Sequence, residues 1–206
     1  WKAPAGGTDG ENDFVASGAI ATGDVVGLRS DGKVEVIQDV VAGDTYGAKA
    51  VYESATAGET STVYDTANNK VIVTYYDTGN SNYGTAVVGT VSGTTISFGT
   101  PVVFKTSIAL DTSIAFDVPS GKVVIAYSAS SKGYAIIGTV SGTSISFGTE
   151  VEFNTSGAYS ITATYSPANE KVLISYSDGG NSSYGTAVVG TVSGTSISFG
   201  TKVAFN

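Results

Sequence analysis

The sequence predicts an all-β protein: a small N-terminal β-module, then three four-stranded antiparallel repeats of about 50 residues, propeller-blade-like or forming a stacked array. Three observations lead there. The apolar residues, 41% of the 206, are dominated by Val, Ile, Tyr and Phe, and 27 glycines punctuate them, which is strand and turn chemistry. The run Tyr83-Gly-Thr-Ala-Val-Val-Gly-Thr-Val-Ser-Gly-Thr-Thr-Ile-Ser-Phe-Gly-Thr100 recurs almost unchanged from Tyr184 to Thr201, with an altered copy from Gly133 to Thr149. Two anchors set the period: Gly89, Gly138 and Gly190 are spaced 49 and 52, whereas Lys70, Lys122 and Lys171 are spaced 52 and 49. The length difference therefore falls between the anchors, in the loop before the glycine-rich strand.

The elements follow in order. Residues 1–13 are rich in Gly, Asp and Asn and read as a linker or attachment arm. Residues 14–52 form the N-terminal module, with a strand, an Asp31-Gly32 hairpin turn and a second strand within Gly18–Ile37, and a third strand around Tyr46–Tyr52. The repeats then occupy 53–105, 106–154 and 155–206. Each opens with a short strand (Ser61–Asp65, Ser113–Asp117, Thr162–Ser166) and a turn at Asn68-Asn69, Pro119-Ser120-Gly121 or Pro167-Ala168-Asn169. The second strand is continuously apolar (Val71-Ile72-Val73, Val123-Val124-Ile125, Val172-Leu173-Ile174), as a strand covered on both faces should be. The third carries Ala86-Val87-Val88 and its equivalents, and ends in a Ser-Gly turn. The fourth runs from Ile96-Ser97-Phe98 onward and alternates. In it the residue after the final Gly-Thr is Pro101, Glu150 or Lys202. These unlike residues share a capacity to deter edge pairing, which makes the fourth strand the outer edge. No helix is expected.

Composition excludes much chemistry. With no cysteine and no histidine there is no thiolate nucleophile, no Ser-His-Asp triad and no ordinary zinc, copper or haem site; no cofactor and no metal are expected. A net charge of −8 and a single arginine, Arg29, argue against nucleic acid as a partner. No apolar run approaches the ~20 residues of a membrane span, so no membrane insertion is expected. The first residue, Trp1, suggests a processed chain or fragment, and Phe205-Asn206 coincides with a repeat boundary, so further copies beyond it are an expectation.

The repeats, such as Lys171-Val-Leu-Ile-Ser-Tyr-Ser-Asp178 followed by Ala187–Thr201, resemble those of long tailed-phage virion proteins, tail-fibre-like or otherwise structural. The segment Ala19-Ile-Ala-Thr-Gly-Asp-Val-Val-Gly-Leu28 is similar to small β-modules of phage head-decoration and fibre proteins. The resemblance covers roughly residues 14–205 and brings no catalytic residue with it. It implies a non-enzymatic structural protein of a virion or extracellular fibre, located in the virion or outside the cell, and partnered by copies of itself or by other virion or fibre subunits.

The alternative is a glycan-binding, propeller-like adhesion module with a cell-surface glycan as partner. Its residues lie in the variable loop: Asp77, Asn80 and Tyr83 in the first repeat, Asp178, Asn181 and Tyr184 in the third. Ser177-Asp178-Gly179-Gly180 resembles the Asp-box hairpin of sialidase-like propellers, although the aromatic falls one residue late and is Tyr rather than Trp. The second repeat has Ser128–Lys132 there, three residues shorter and without the Asp. Asp, Asn and Gly are also what a tight turn requires, so the hairpin reading outweighs ligand contact. Tyr75, Tyr127 and Tyr176 end the second strand and are expected to pack between sheets with their hydroxyls reaching water. No paired carboxylates suggest an enzyme, and an active site would break the repeat symmetry in one place. Uncapped end sheets expose apolar surface, so the terminal repeat is expected to pack on another subunit, with a trimer as the fibre-like arrangement, or on further chain.

Overall fold

The computed structural model describes residues 15–16, 18–20, 26–28, 30, 33–36 and 47–205. The chain divides into two compact units, 1–46 and 47–206. In the first, β2 (Val26–Leu28) and β3 (Lys33–Val36) pair antiparallel with Val26 opposite Val36, the hairpin that the sequence predicts. A further strand, β1 (Val15–Ala16), precedes the expected hairpin and runs parallel to β3. The arm at 1–13 and the Asp31-Gly32 turn lie outside the described residues.

The second unit consists of three antiparallel sheets, one per repeat. The first contains β4 (Ala57–Asp65), β5 (Lys70–Asp77), β6 (Tyr83–Ser92), β7 (Thr95–Phe98) and β8 (Val102–Ile108). The second contains β9 (Leu110–Asp117), β10 (Lys122–Ala129), β11 (Lys132–Ser141), β12 (Ser144–Phe147) and β13 (Val151–Asn154). The third contains β14 (Ala158–Ser166), β15 (Lys171–Asp178), β16 (Tyr184–Ser193), β17 (Ser196–Phe199) and β18 (Val203–Ala204). Each sheet has the order first, second, third, fourth strand, so the fourth is an outer edge as expected.

Three expectations need correction. The fourth strand is two strands: β7 pairs with the end of β6 and β8 with its start, and the same split recurs in β12/β13 and β17/β18. The first strand is longer than its alternation suggests, because a bulge interrupts the pattern. Glu59, Asp111 and Ser160 occupy it with φ near 50°, and the register shifts there. Finally, residues 47–56 contain no strand up to Thr56. That segment is nevertheless a further copy of the repeat's closing stretch: Gly47-Ala-Lys-Ala-Val-Tyr-Glu-Ser54 aligns with Gly99–Thr106 and Gly148–Thr155.

The sheets stack face to face because each central strand is apolar on both sides. Ile72 and Val88 of the first sheet pack with Val123, Ile125 and Tyr127 of the second. The opposite side of the second sheet, Val124, Ala126 and Ile137, packs with Val172, Ile174 and Tyr176 of the third. The bulges tie the first strands together: the Asp111 amide donates to the Glu59 carboxylate, the Thr112 hydroxyl to the Glu59 carbonyl (2.6 Å), and the Ser160 amide to Asp111 Oδ1 (2.8 Å). First strands of adjacent sheets therefore stay in hydrogen-bonding reach of one another.

The turn after the first strand places Asn69, Gly121 and Glu170 in the left-handed region, with φ of 53°, 64° and 52°. Glutamate is the least suited of the three: its Cβ crowds the following carbonyl, and it lacks the short side chain whose local hydrogen bonds let asparagine tolerate this region. Replacing Glu170 with glycine is expected to raise stability by about 0.5–1 kcal/mol, the relief being partly offset by the freer unfolded chain. Urea-unfolding midpoints of the two proteins check this, and an unchanged or lower midpoint would refute it.

Candidate functional site

The variable loops are built from the end of each second strand. After Asp77 a short 3-10 turn spans Thr78–Asn80, and the Asp77 side chain accepts from the Gly79 amide at 2.8 Å. Asp178 does the same for the Gly180 amide at 3.0 Å. Both loops then close through two left-handed residues, Ser81-Asn82 and Ser182-Ser183. The second repeat goes from Ala129 straight through the left-handed pair Ser130-Ser131 to Lys132. Where the extra turn is absent, so is the aspartate that caps it. Asp77 and Asp178 are buried, whereas Asn80 and Asn181 are exposed; Tyr83 is half-buried and Tyr184 exposed.

The tyrosines at the strand ends have another fate. Tyr75, Tyr127 and Tyr176 are buried, each against an aromatic ring delivered by the preceding closing segment: Tyr52, Phe104 and Phe153, at centroid distances of 5.1, 5.2 and 5.1 Å. The same three rings meet Phe98, Phe147 and Phe199 edge-on at 5.4, 5.8 and 5.8 Å. One aromatic joint is thus repeated three times. The hydroxyls do not reach water, a correction to the expected packing. Tyr127 donates to Glu150 Oε2 at 2.5 Å, while the Tyr75 and Tyr176 hydroxyls are buried without a protein acceptor. Burial pushes the Tyr176 hydroxyl up to about 12, with the Asp178 charge adding to the effect.

Repeat symmetry also breaks in one pair of columns. The residue after the closing aromatic is Glu53, Lys105 or Asn154; the residue after the final Gly-Thr is Pro101, Glu150 or Lys202. The two columns meet across the sheet junctions. Lys105 Nζ donates to both Glu150 oxygens at 2.8 Å, and Lys202 Nζ donates to Asn154 Oδ1 at 2.7 Å and to Asp178 Oδ2 at 3.0 Å. Asn154 Nδ2 completes the second cluster by donating to Asp178 Oδ1 at 3.0 Å. The charge column read as edge protection is therefore also a junction contact, which no single strand's pattern could reveal.

Lys202 and Asp178 of this cluster line a cavity of about 370 Å³, together with Thr155, Ser156, Asn181 and Thr186. Of the six loop residues put forward from the sequence, it brings together only Asp178 and Asn181. Burial opposes ionisation of Asp178, but hydrogen bonds from Asn154, Lys202 and the Gly180 amide outweigh it and hold the carboxyl below its ordinary range. Such a group stays ionised at neutral pH and is unsuited to proton donation. Among the described residues no group of three or more acidic side chains is placed to hold a metal ion. What the cavity offers is a solvent-facing ammonium and several hydroxyl and amide groups.

Glu150 behaves similarly: burial opposes its charge, but hydrogen bonds from Lys105 and Tyr127 win and lower its pKa. Folded-state values below the unfolded carboxylate range of about 4 mean that this stability is complete above that range. It is lost as pH falls through the depressed folded values. Urea midpoints are expected to drop between pH 5 and pH 2, and Glu150→Gln to remove part of the drop, by less than about 1 kcal/mol because the Lys105 pair is partly exposed. An identical acid limb in wild type and variant would refute the assignment.

The chain is an all-β protein of three repeated antiparallel sheets, joined by aromatic contacts. No protein family, curated protein or solved structure matches it.

Proposed function

We propose that this chain is a non-enzymatic structural protein of a virion or extracellular fibre, of the kind found in phage tail fibres, decorations or surface filaments. The observation that carries this reading is the use of the chain's recurring polar and aromatic residues. Asp77 and Asp178 cap turns, Glu59 and Asp111 link bulges, Phe104 and Phe153 join sheets, and Tyr52 packs the segment before the first sheet onto it in the same way. Repetition here serves extension and rigidity, as in repeat arrays generally. No helix among the described residues is long and apolar enough to cross a membrane. Mass spectrometry of purified particles and filaments, with electron microscopy after labelling of the chain, tests the proposal. Detection as a stoichiometric component is expected, and absence from every assembly would overturn it.

A second reading, a glycan-binding adhesion module, draws on the cavity beside Asn181 and Lys202. A glycan array comparing wild type with Asn181→Ala decides it. Binding lost in the variant supports this reading, and no binding by the wild type removes it.

A further inference from the structure

The two internal junctions define what a sheet of this class presents to the next one. On the second and third strands, Ile72 and Val88 of the first sheet and Val124 and Ile137 of the second are fully buried against their successor. The equivalent residues of the third sheet, Leu173 and Val189, are 36% and 45% exposed. The closing aromatic repeats the contrast: Phe104 and Phe153 are 8% and 7% exposed, Phe205 65%. A backbone contact shows it once more. A Cβ on Gly99 would lie 2.0 Å from the Thr143 carbonyl oxygen of the next sheet's hairpin, and one on Gly148 1.9 Å from that of Thr195. On Gly200 it would meet nothing closer than Val189 O at 3.8 Å.

We propose that the outer face of the third sheet is a docking surface for one further repeat sheet of this same class. That sheet would seat Phe205 between a tyrosine at the Tyr75 position and a phenylalanine at the Phe98 position, and bring its Ser-Gly-Thr hairpin onto Gly200. Continuity with the two internal junctions selects this occupant. A sheet face meant for water would be polar there, as the outer faces of capping repeats are. A second copy of the chain fits less well. The matching aromatic slot on its first sheet is already filled by Tyr52, and two third sheets meeting face to face would offer Phe205 no tyrosine–phenylalanine slot. The proposal rests on the junction geometry and not on the particle assignment, so either can fail alone.

The absence of cysteine allows a direct test. The full chain is compared with one in which a copy of residues 155–206 is appended after Asn206. Each carries the single substitution Val189→Cys, and thiol labelling is measured; Val88→Cys in separate samples reports that the existing array is folded. Labelling at position 189 is expected to be fast in the 206-residue chain and about 100-fold slower or more in the extended one, since a buried site reacts only through local opening. Phe205→Ala or Gly200→Leu in the extended chain is expected to restore most of the lost reactivity. Unchanged labelling on extension, whether or not the appended copy folds, would overturn the proposal. So would protection in the 206-residue chain that grows with protein concentration, since that assigns the face to a second copy.

Discussion

Replacing Gly148 with alanine is expected to lower the stability of the stacked sheets by about 3 kcal/mol, whereas the same change at Gly200 should leave it within about 0.5 kcal/mol. The two glycines occupy equivalent positions, each donating its amide to the third strand of its own sheet, at 2.9 Å to Ile137 O and 2.9 Å to Val189 O. They differ in what lies opposite. At Gly148 a methyl group would sit 1.9 Å from the Thr195 carbonyl oxygen, which is backbone and cannot rotate away. The junction must open or the hairpin must move. At Gly200 the nearest atom is 3.8 Å away, an ordinary contact. Urea unfolding of both variants checks this. Equal losses at the two positions would mean that the glycines serve the local strand break rather than the junction.

The aromatic joint should show a comparable effect. Phe153→Ala is expected to cost about 4 kcal/mol, because the ring is buried and contacts both Tyr176 and Phe199. Phe205→Ala, at a position two-thirds exposed, should cost less than about 0.5 kcal/mol. Phe153 connects the second sheet to the third, so its loss should also uncouple them. Unfolding of the variant is expected to separate into two transitions, with the third sheet melting first, since stability in such arrays is carried by neighbour contacts. A single transition with a loss below about 1 kcal/mol would show that the apolar sheet faces hold the junction without the ring.

Much of the fold was legible because it is written locally. The continuously apolar second strands, the Ser-Gly turns and the recurring lysines fix the repeat period and the central position of the second strand, and each depends on neighbours only a few residues away. Gly93, Gly142 and Gly194 take the left-handed conformation that those turns imply. The bulge at Glu59, Asp111 and Ser160 was hidden because it breaks the two-residue period from which strands are read, and its residue types differ in every copy. The candidate site was legible only in part. The loop aspartates stood out by type and spacing, but their burial and capping role depend on the longer turn.

What the sequence by itself determined is a set of three near-equivalent β-units with their strands, turns and edges, since strand periodicity and turn chemistry are properties of a few adjacent residues. Only the tertiary structure decided how the units are joined. It placed Tyr52, Phe104 and Phe153 in the next sheet's aromatic slot, paired Lys105 with Glu150 and Lys202 with Asn154, and made Gly99 and Gly148 points of backbone contact. Lys105 and Glu150 are 45 residues apart, and their meeting follows from the stacking of two complete sheets, which no local pattern of residues encodes.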